Sequence, residues 1–466
     1  MSGVYELLSM PEVRRASAAF DEAPGVWDSS SVTFRRRTVL TAAAGAAVAA
    51  APLAFLFRRS ALAEAGPLVP DPARLLDLPA GFRYRVLEHT GAPMSDGSRV
   101  PARPDGMACF PGPNGTLILM RNHELDRNLA HAGYDTPPRE AYDPRGVGGV
   151  TRLVLDAKTL ERVSSNRVLA GTFHNCGGGP SPWGWLSCEE NIEPRHGYVF
   201  RCRTDAARVA PAERLTGYGR FRHEAVCIEP QTLTAFLSED QPDGCFYRYR
   251  PRDLSQPFSS GKLQALRVVG SPRFDTSRAL EHGQRLPVEW VDVPEPEPVE
   301  DDDVRYQAAA SGAARFCRGE GVFFGGGAVY LCCTTGGRQG LGQVFKLTLG
   351  SGGHGAPDQL ELFAESPDSN VLDMPDNICL APWGDLLVAE DGSGDNFLRG
   401  IMPDGKVYDI ARNAKSTSEF AGVCTAPDGS AVFVNLQLDG LTLAITGPFN
   451  QLSRHSKHFA RRSGTA

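Results

Sequence analysis

A short unit of sequence recurs along this chain, and its recurrence limits the available folds more than any other feature. Each copy starts on a polar or acidic residue and runs through a short apolar strand to a Pro or Gly turn. It then returns through a second strand to another polar pair. The first copy begins at Asp105-Gly106-Met107, turns at Pro113-Asn114-Gly115 and ends at Asn122-His123-Glu124. The second runs from Cys176 to Glu190 around Pro182-Trp183-Gly184, and the third from His223-Glu224 to Ser238-Glu239-Asp240. The fourth opens with Arg318-Gly319-Glu320, turns at Gly325-Gly326-Gly327 and ends at Thr334-Thr335. The fifth leads from Pro375-Asp376-Asn377 to Glu390-Asp391, and the sixth from Glu419-Phe420-Ala421-Gly422 to Asn435. Six such copies, with sequence between them for outer strands, predict an all-β six-bladed β-propeller with loop insertions.

In that fold the innermost strands line one channel, so residues at the same end of each copy surround a common cavity. Strand ends are also polar simply where they meet solvent. Here they carry Glu, Asp, Asn and Cys and hardly any Lys, and a ring of acids is costly unless cations sit in it. The stretch His174 to Asn191 fits this picture: Cys176 precedes Gly177, Gly178 and Gly179, and Glu189 and Glu190 close the unit. Thiolate selects iron, zinc or copper, whereas paired carboxylates suit calcium, magnesium, manganese or ferric iron. Taken alone, the stretch also reads as a buried cysteine packed as a small hydrophobe beside two solvated glutamates. His123 and His223 could approach the cavity. His89, His131, His196, His282, His354, His455 and His458 have no partner at ligand spacing and read as surface or turn positions.

The termini read differently. Residues 1–63 contain Phe34-Arg35-Arg36-Arg37, an alanine-rich apolar run to Phe57, and a small-x-small site at Ala61-Leu62-Ala63. This is the pattern of a twin-arginine export signal, and an uncleaved anchor helix is the other reading. Residues 64–450 form the expected propeller and 451–466 a basic tail. Between copies three and four, Pro294 to Asp303 reads PEPEPVEDDD and is expected to be an exposed insertion or flexible loop. A net charge of −7 argues against nucleic acid as a partner. Eleven cysteines is an odd number, so at least one lacks an intrachain partner.

Several of these motifs resemble the PhoX-type alkaline phosphatase family. They are Asn175-Cys176 with its glycines, Pro182-Trp183-Gly184 through Cys188-Glu189-Glu190-Asn191, His223-Glu224 and Arg318-x-Glu320-Gly321. Pro375-Asp376-Asn377, Glu419-Phe420-x-Gly422, Phe433-Val434-Asn435-x-Gln437 and Ala444-Ile445-Thr446-Gly447-Pro448 continue the resemblance in order. It implies a propeller phosphatase exported to the periplasm or beyond, a monomer without stable membrane insertion, acting on small phosphate monoesters with ferric iron and calcium in one cluster. By the same resemblance, Cys176 is the iron-ligating thiolate and Glu320 a carboxylate ligand with a catalytic role. Glu189, Glu190 and Glu224 hold or bridge metals, with Glu239, Asp240, Glu390, Asp391 and Glu419 as further ligands. Arg318 grips the phosphate, joined by Asn377, and no serine or threonine nucleophile is implied. The chain departs from the family pattern at Gly319, where proline is usual and whose flexibility is expected to loosen the loop aiming Arg318. It departs also at Ser238-Glu239-Asp240 and at Thr334-Thr335.

Two other classes stay open at this stage. One is a calcium-dependent propeller hydrolase such as a lactonase or phosphodiesterase, for which a thiolate is superfluous. The other is a propeller that binds a ligand without catalysis.

Overall fold

A computed structural model describes residues 66–129, 137–278, 280–299, 302–350 and 356–449. The expected export signal and basic tail lie outside the described residues. Runs of alternating and fully apolar residues broken by Gly, Pro and Asn turns form strands throughout, as their β-branched and aromatic content favours. The described residues are all-β apart from short helical turns and the helix Val304–Ala310.

Apart from Arg285–Asp292 and from Leu68–Val69 and Leu76–Pro79, which extend the fifth meander's outer edge, the described strands fall into antiparallel meanders of four. The first comprises Pro104–Pro111, Thr116–His123, Gly148–Asp156 and Arg162–Thr172. The second comprises Asn175–Ser181, Gly184–Glu189, Val199–Cys202 and Glu213–Arg214. The third is His223–Glu229, Thr234–Glu239, Tyr247–Pro251 and Gly261–Val268; the fourth is Gly319–Gly325, Ala328–Cys333, Gln343–Thr348 and Asp358–Glu365. Strand Arg285–Asp292 pairs with the outermost strand of each, joining them into one sheet. The fifth meander is Pro375–Leu380, Leu386–Glu390, Phe397–Ile401 and Val407–Asn413. The sixth has Phe420–Thr425, Ala431–Leu436 and Leu441–Thr446, and takes its fourth strand, Arg83–His89, from the beginning of the described chain.

Each meander's first strand lies beside the first strand of the next, and the sixth lies beside the first. The apolar cores follow that order. Met107, Leu119 and Leu153 pack with Phe433 and Ala444 between meanders one and six. Ile118, Met120 and Val154 pack with Trp185 and Phe200 between one and two. Comparable clusters lie between two and three, three and four, four and five, and five and six. No meander buries its apolar faces alone, so the ring is the smallest cooperative unit.

Where it is described, the acidic stretch is exposed as expected at Pro294, Glu295, Glu297 and Val299, yet it is tied down. The carbonyls of Pro296 and Pro298 accept bonds from the Arg220 backbone and guanidinium at 2.8 and 2.9 Å. Glu297 accepts from the Tyr198 hydroxyl at 2.7 Å, and Asp302 pairs with Arg305 at 2.8 Å. All eleven cysteines are unpaired.

Ring closure carries one deeply buried charge pair. Arg121, on the second strand of the first meander, reaches Glu88 of the closing strand at 2.9 Å and the Thr442 hydroxyl at 2.6 Å. Both charged side chains are 1% exposed. Removing Arg121 leaves Glu88 buried with only the partly exposed Arg162 at 3.1 Å, and breaking a buried pair is costly. Arg121→Met is expected to cost about 3–5 kcal/mol in urea unfolding, with much of that loss recovered by adding Glu88→Gln. A loss under about 1 kcal/mol would show that the pair does not hold the closure.

Candidate metal centre

The first strand of every meander carries the same irregularity near its start. Its pairing with the second strand slips between residues 104 and 107, 175 and 178, 223 and 226, 319 and 322, 375 and 378, and 421 and 424. A β-bulge leaves two residues outside the ladder and re-aims their side chains. The residues so placed are Asp105-Gly106, Cys176-Gly177, Glu224-Ala225, Glu320-Gly321, Asp376-Asn377 and Gly422-Val423. The second residue is small in most because neighbouring bulges nearly touch. A Cβ on Gly177 would lie 2.5 Å from the Glu224 carbonyl oxygen, and one on Gly422, whose φ is +62°, 2.2 Å from that of Asp105.

This geometry brings five chemically active side chains from five meanders to one place. Ligand atoms of Glu224, Glu320 and Asp376 lie within 4.8 Å of one another, as do those of Cys176, Glu190 and Glu224. Glu124, His174 and Glu190 form a third such group. Asp105 belongs to the same neighbourhood: burial and then the charges of Glu124 and Asp376 hold its carboxyl well above the usual range. Burial, reinforced by neighbouring acids, does the same to Glu224, Glu320, Asp376 and Glu419. Burial and the nearby carboxylates also push the Cys176 thiol far up. His174 bridges Glu124 at 3.2 Å and Glu190 at 3.1 Å; burial opposes its charge, yet the carboxylates raise it to about 9.

Arg318 sits at the edge of this group. Its Nε and Nη2 bond both oxygens of Asp240 at 2.9 and 3.0 Å, and Nη2 also reaches Glu320 at 2.8 Å. Nη1 has no protein partner among the described residues. The expected looseness at Gly319 is not found: the Arg318 N–H donates to the Gln241 carbonyl at 2.9 Å, and its carbonyl accepts from Thr334 at 3.0 Å. Beyond the bulges the first strands enclose a cavity of about 280 Å³ lined by Met107, Val322, Phe323, Ile378 and Val423. The acids therefore form the polar end of an otherwise apolar channel.

The sequence pattern of the alkaline phosphatase PhoX family matches residues 63–440. The chain belongs to that family. PhoX from Pseudomonas fluorescens, solved with vanadate as a transition-state analogue, superposes with a TM-score of 0.66 at 18% identity. The match covers 82% of this chain and 97% of that one. A gluconolactonase from Xanthomonas campestris gives a TM-score of 0.42 at 13% identity over 82% of this chain and 98% of its own. No protein of curated function matches the sequence. As a member of the PhoX family the chain is an alkaline-phosphatase-like enzyme.

Against that background, the expected ligands divide cleanly. Cys176, Glu190, Glu224 and Glu320 are brought together. Asp240 reaches the group through Arg318, and Glu419 lies against Asp391 and Asp376. Glu189, Glu239 and Glu390 are not part of it. Glu189 accepts from His196 at 2.6 Å and from the backbone of Phe173 and Gly197 at 2.9 and 2.7 Å. Glu239 is taken by Tyr247 at 2.7 Å and Arg305 at 3.3 Å, and burial, opposed by Arg305, raises it to about 7. Glu390 is taken by Arg399 at 2.8 Å and the Asp373 and Phe397 N–H groups at 2.9 and 3.0 Å. Strand side chains alternate, so in Glu189-Glu190, Glu239-Asp240 and Glu390-Asp391 the first acid faces the meander's interior.

Three further expectations change. Asn377 does not stand free for substrate: its amide donates to Asp376 at 3.1 Å and accepts from the Gly422 N–H. His196 is buried rather than superficial, and His123 and His223 are spent on carbonyls and a threonine inside the fold. The sequence reading passed over Asp105, Glu124, His174 and Asp376, which the structure places in or beside these groups. Asp376 holds the offset of Glu224 and Glu320 in its copy, and Glu124 that of Glu190, so aligning the copies residue by residue exposes both.

The alternation has a direct test. Glu190→Gln should lower bound metal, by elemental analysis, without lowering the melting temperature of metal-free protein. Glu189→Gln should cost about 1–3 kcal/mol of metal-free stability through its lost charged bonds. The reverse pattern would contradict the assignment of faces.

Proposed function

We propose that this chain is an exported six-bladed propeller phosphatase that hydrolyses phosphate monoesters at a cluster of ferric iron and calcium. The blade count is supported by the six meanders, whose cores alternate around a closed sequence of neighbours. Export is supported by the twin-arginine pattern before residue 64, which lies ahead of the family match that begins at residue 63. Among the described residues no helix is long and apolar enough to cross a membrane. The active form is taken as a monomer with small phosphate esters as its partners.

The observation that carries the reading is the convergence of one thiol with buried acids beside an arginine that keeps a free N–H edge. The donor set fits the implied metals. Buried carboxylates this close hold one another's protons, and cations seated among them remove that cost. Cys176 lies with Glu190 and Glu224, and Glu224 with Glu320 and Asp376, so together they would offer the mixed thiolate and carboxylate set that suits ferric iron. Glu124, Glu190, Asp240, Asp391, Glu419 and Asp105 offer the all-oxygen surroundings of calcium. Such cations, once bound, polarise phosphoryl oxygens and neutralise charge that develops on them. Arg318, fixed on one side by Asp240 and Glu320, presents Nη1 to a phosphoryl oxygen without having to be ordered first. Asp240 thereby orients the guanidinium, and the apolar channel beneath excludes water from that side.

Protein carrying iron and calcium should hydrolyse an aryl phosphate monoester in preference to a diester or a lactone. Arg318→Met should reduce kcat/KM about 10²–10³-fold. Cys176→Ser should remove iron while leaving calcium. Lactone or diester turnover without monoester turnover, or iron retained by the serine variant, would overturn the reading.

A further inference from the structure

Three of the six bulges are gripped from the preceding meander by one buried polar side chain on its second strand. Asn122 Nδ2 donates to the carbonyls of Cys176 and Gly177 at 2.9 and 2.5 Å. The Ser238 hydroxyl donates to the Glu320 carbonyl. Asn435 Nδ2 donates to the Asp105 carbonyl at 2.7 Å. The three donors occupy one register position, directly before His123, Glu239 and Leu436, which pair with Pro104, His223 and Phe420. Cys188, Cys332 and Ala389 stand there in the other meanders.

Asn122 is the most constrained of the three. Its Oδ1 accepts from Trp185 Nε1 at 2.8 Å and from the Ser187 hydroxyl at 2.9 Å. An indole N–H can only donate and a carbonyl can only accept, so the amide has a single orientation that satisfies its neighbours. The residue is fully buried. A bulge removes its residues from the strand ladder, so the carbonyls of Cys176 and Gly177 depend on Asn122 for partners. The Cys176 carbonyl fixes the peptide plane that follows Cys176 and the Gly177 carbonyl fixes the next one, so the backbone from which Cβ and Sγ project is held on its C-terminal side.

We infer that Asn122 is a positioning residue that aims the Cys176 sulfur into the cluster from the neighbouring meander. The inference rests on the reading of Cys176 as a ligand, and groups that orient a ligand commonly alter affinity or activity 10–100-fold when lost. Asn122→Asp keeps the shape and the acceptor for Trp185 and Ser187 but turns an oxygen toward both carbonyls. In metal-stripped protein, hydrogen exchange over residues 174–181 should quicken at least ~10-fold while residues 375–391 keep their wild-type rates. In iron-loaded protein the visible thiolate-to-iron absorption should shift or disappear. On an aryl phosphate, kcat should fall at least ~10-fold with KM within about twofold of wild type. Wild-type exchange together with an unshifted band would overturn the inference.

If Asn122→Asp does not fold, Trp185→Phe gives the same readouts, because it removes one of the bonds that orient the amide. A shifted band and faster exchange support the inference, and wild-type values for both overturn it. Should wild-type protein bind no iron, the metal reading of Cys176 fails on its own, and the exchange comparison alone decides whether Asn122 orders the bulge.

Discussion

The constraint on which this molecule turns is the alternation of side chains along a β-strand and its interruption by a bulge. A regular strand sends every second residue to the same side, so a channel lined by regular strands would receive isolated side chains at fixed heights. The repeated bulge breaks that rule in each meander at the same height. It delivers Asp105, Cys176, Glu224, Glu320 and Asp376 to one level, while Glu124, Glu190, Asp240 and Asp391 come to the same end from the second strands. Small residues follow most of these positions because adjoining backbones leave no room for more. In the sixth meander the register slips one residue later, so Ala421 stands where the others carry the ligand; Gly422 follows it, and the Asn377 amide ties Gly422 to Asp376.

Gathering acids in this way is unfavourable unless something offsets their mutual repulsion. The structure does so at the edges with His174, Arg318 and Arg103, the last lying beside Glu124. The four acids and the thiol at the centre have no comparable number of protein cations among the described residues. Their elevated protonation is what buried, crowded carboxylates do without counterions, and bound cations are the counterions that such a donor set selects. The inward-facing partner acids differ in their neighbours: Glu189, Glu239 and Glu390 are each answered by a base within their own surroundings, although burial still raises Glu239 and Glu390 to about 7.

Much of this was legible in the sequence, and the failures have separate causes. The repeat, its turn chemistry and the acidic strand ends gave the all-β organisation, and the order of motifs pointed to the family. Choosing both members of Glu189-Glu190, Glu239-Asp240 and Glu390-Asp391 as ligands ignored the period of the strand. Passing over Asp376 in favour of Asn377 ignored the offset shared with Glu224 and Glu320. Neither His174 nor the tethering of the acidic stretch by Arg220 carries a local signal, since both depend on contacts between segments far apart in sequence.

The central claim is that residues from separate meanders share cations at the bulges. Anomalous diffraction from crystals of metal-loaded protein tests it most directly. The account predicts an iron peak bonded to Cys176 Sγ and to carboxylates among Glu224, Glu320 and Asp376, with calcium beside it. An empty bulge ring, with metal found instead at Glu189, Glu239 or Glu390, would contradict it.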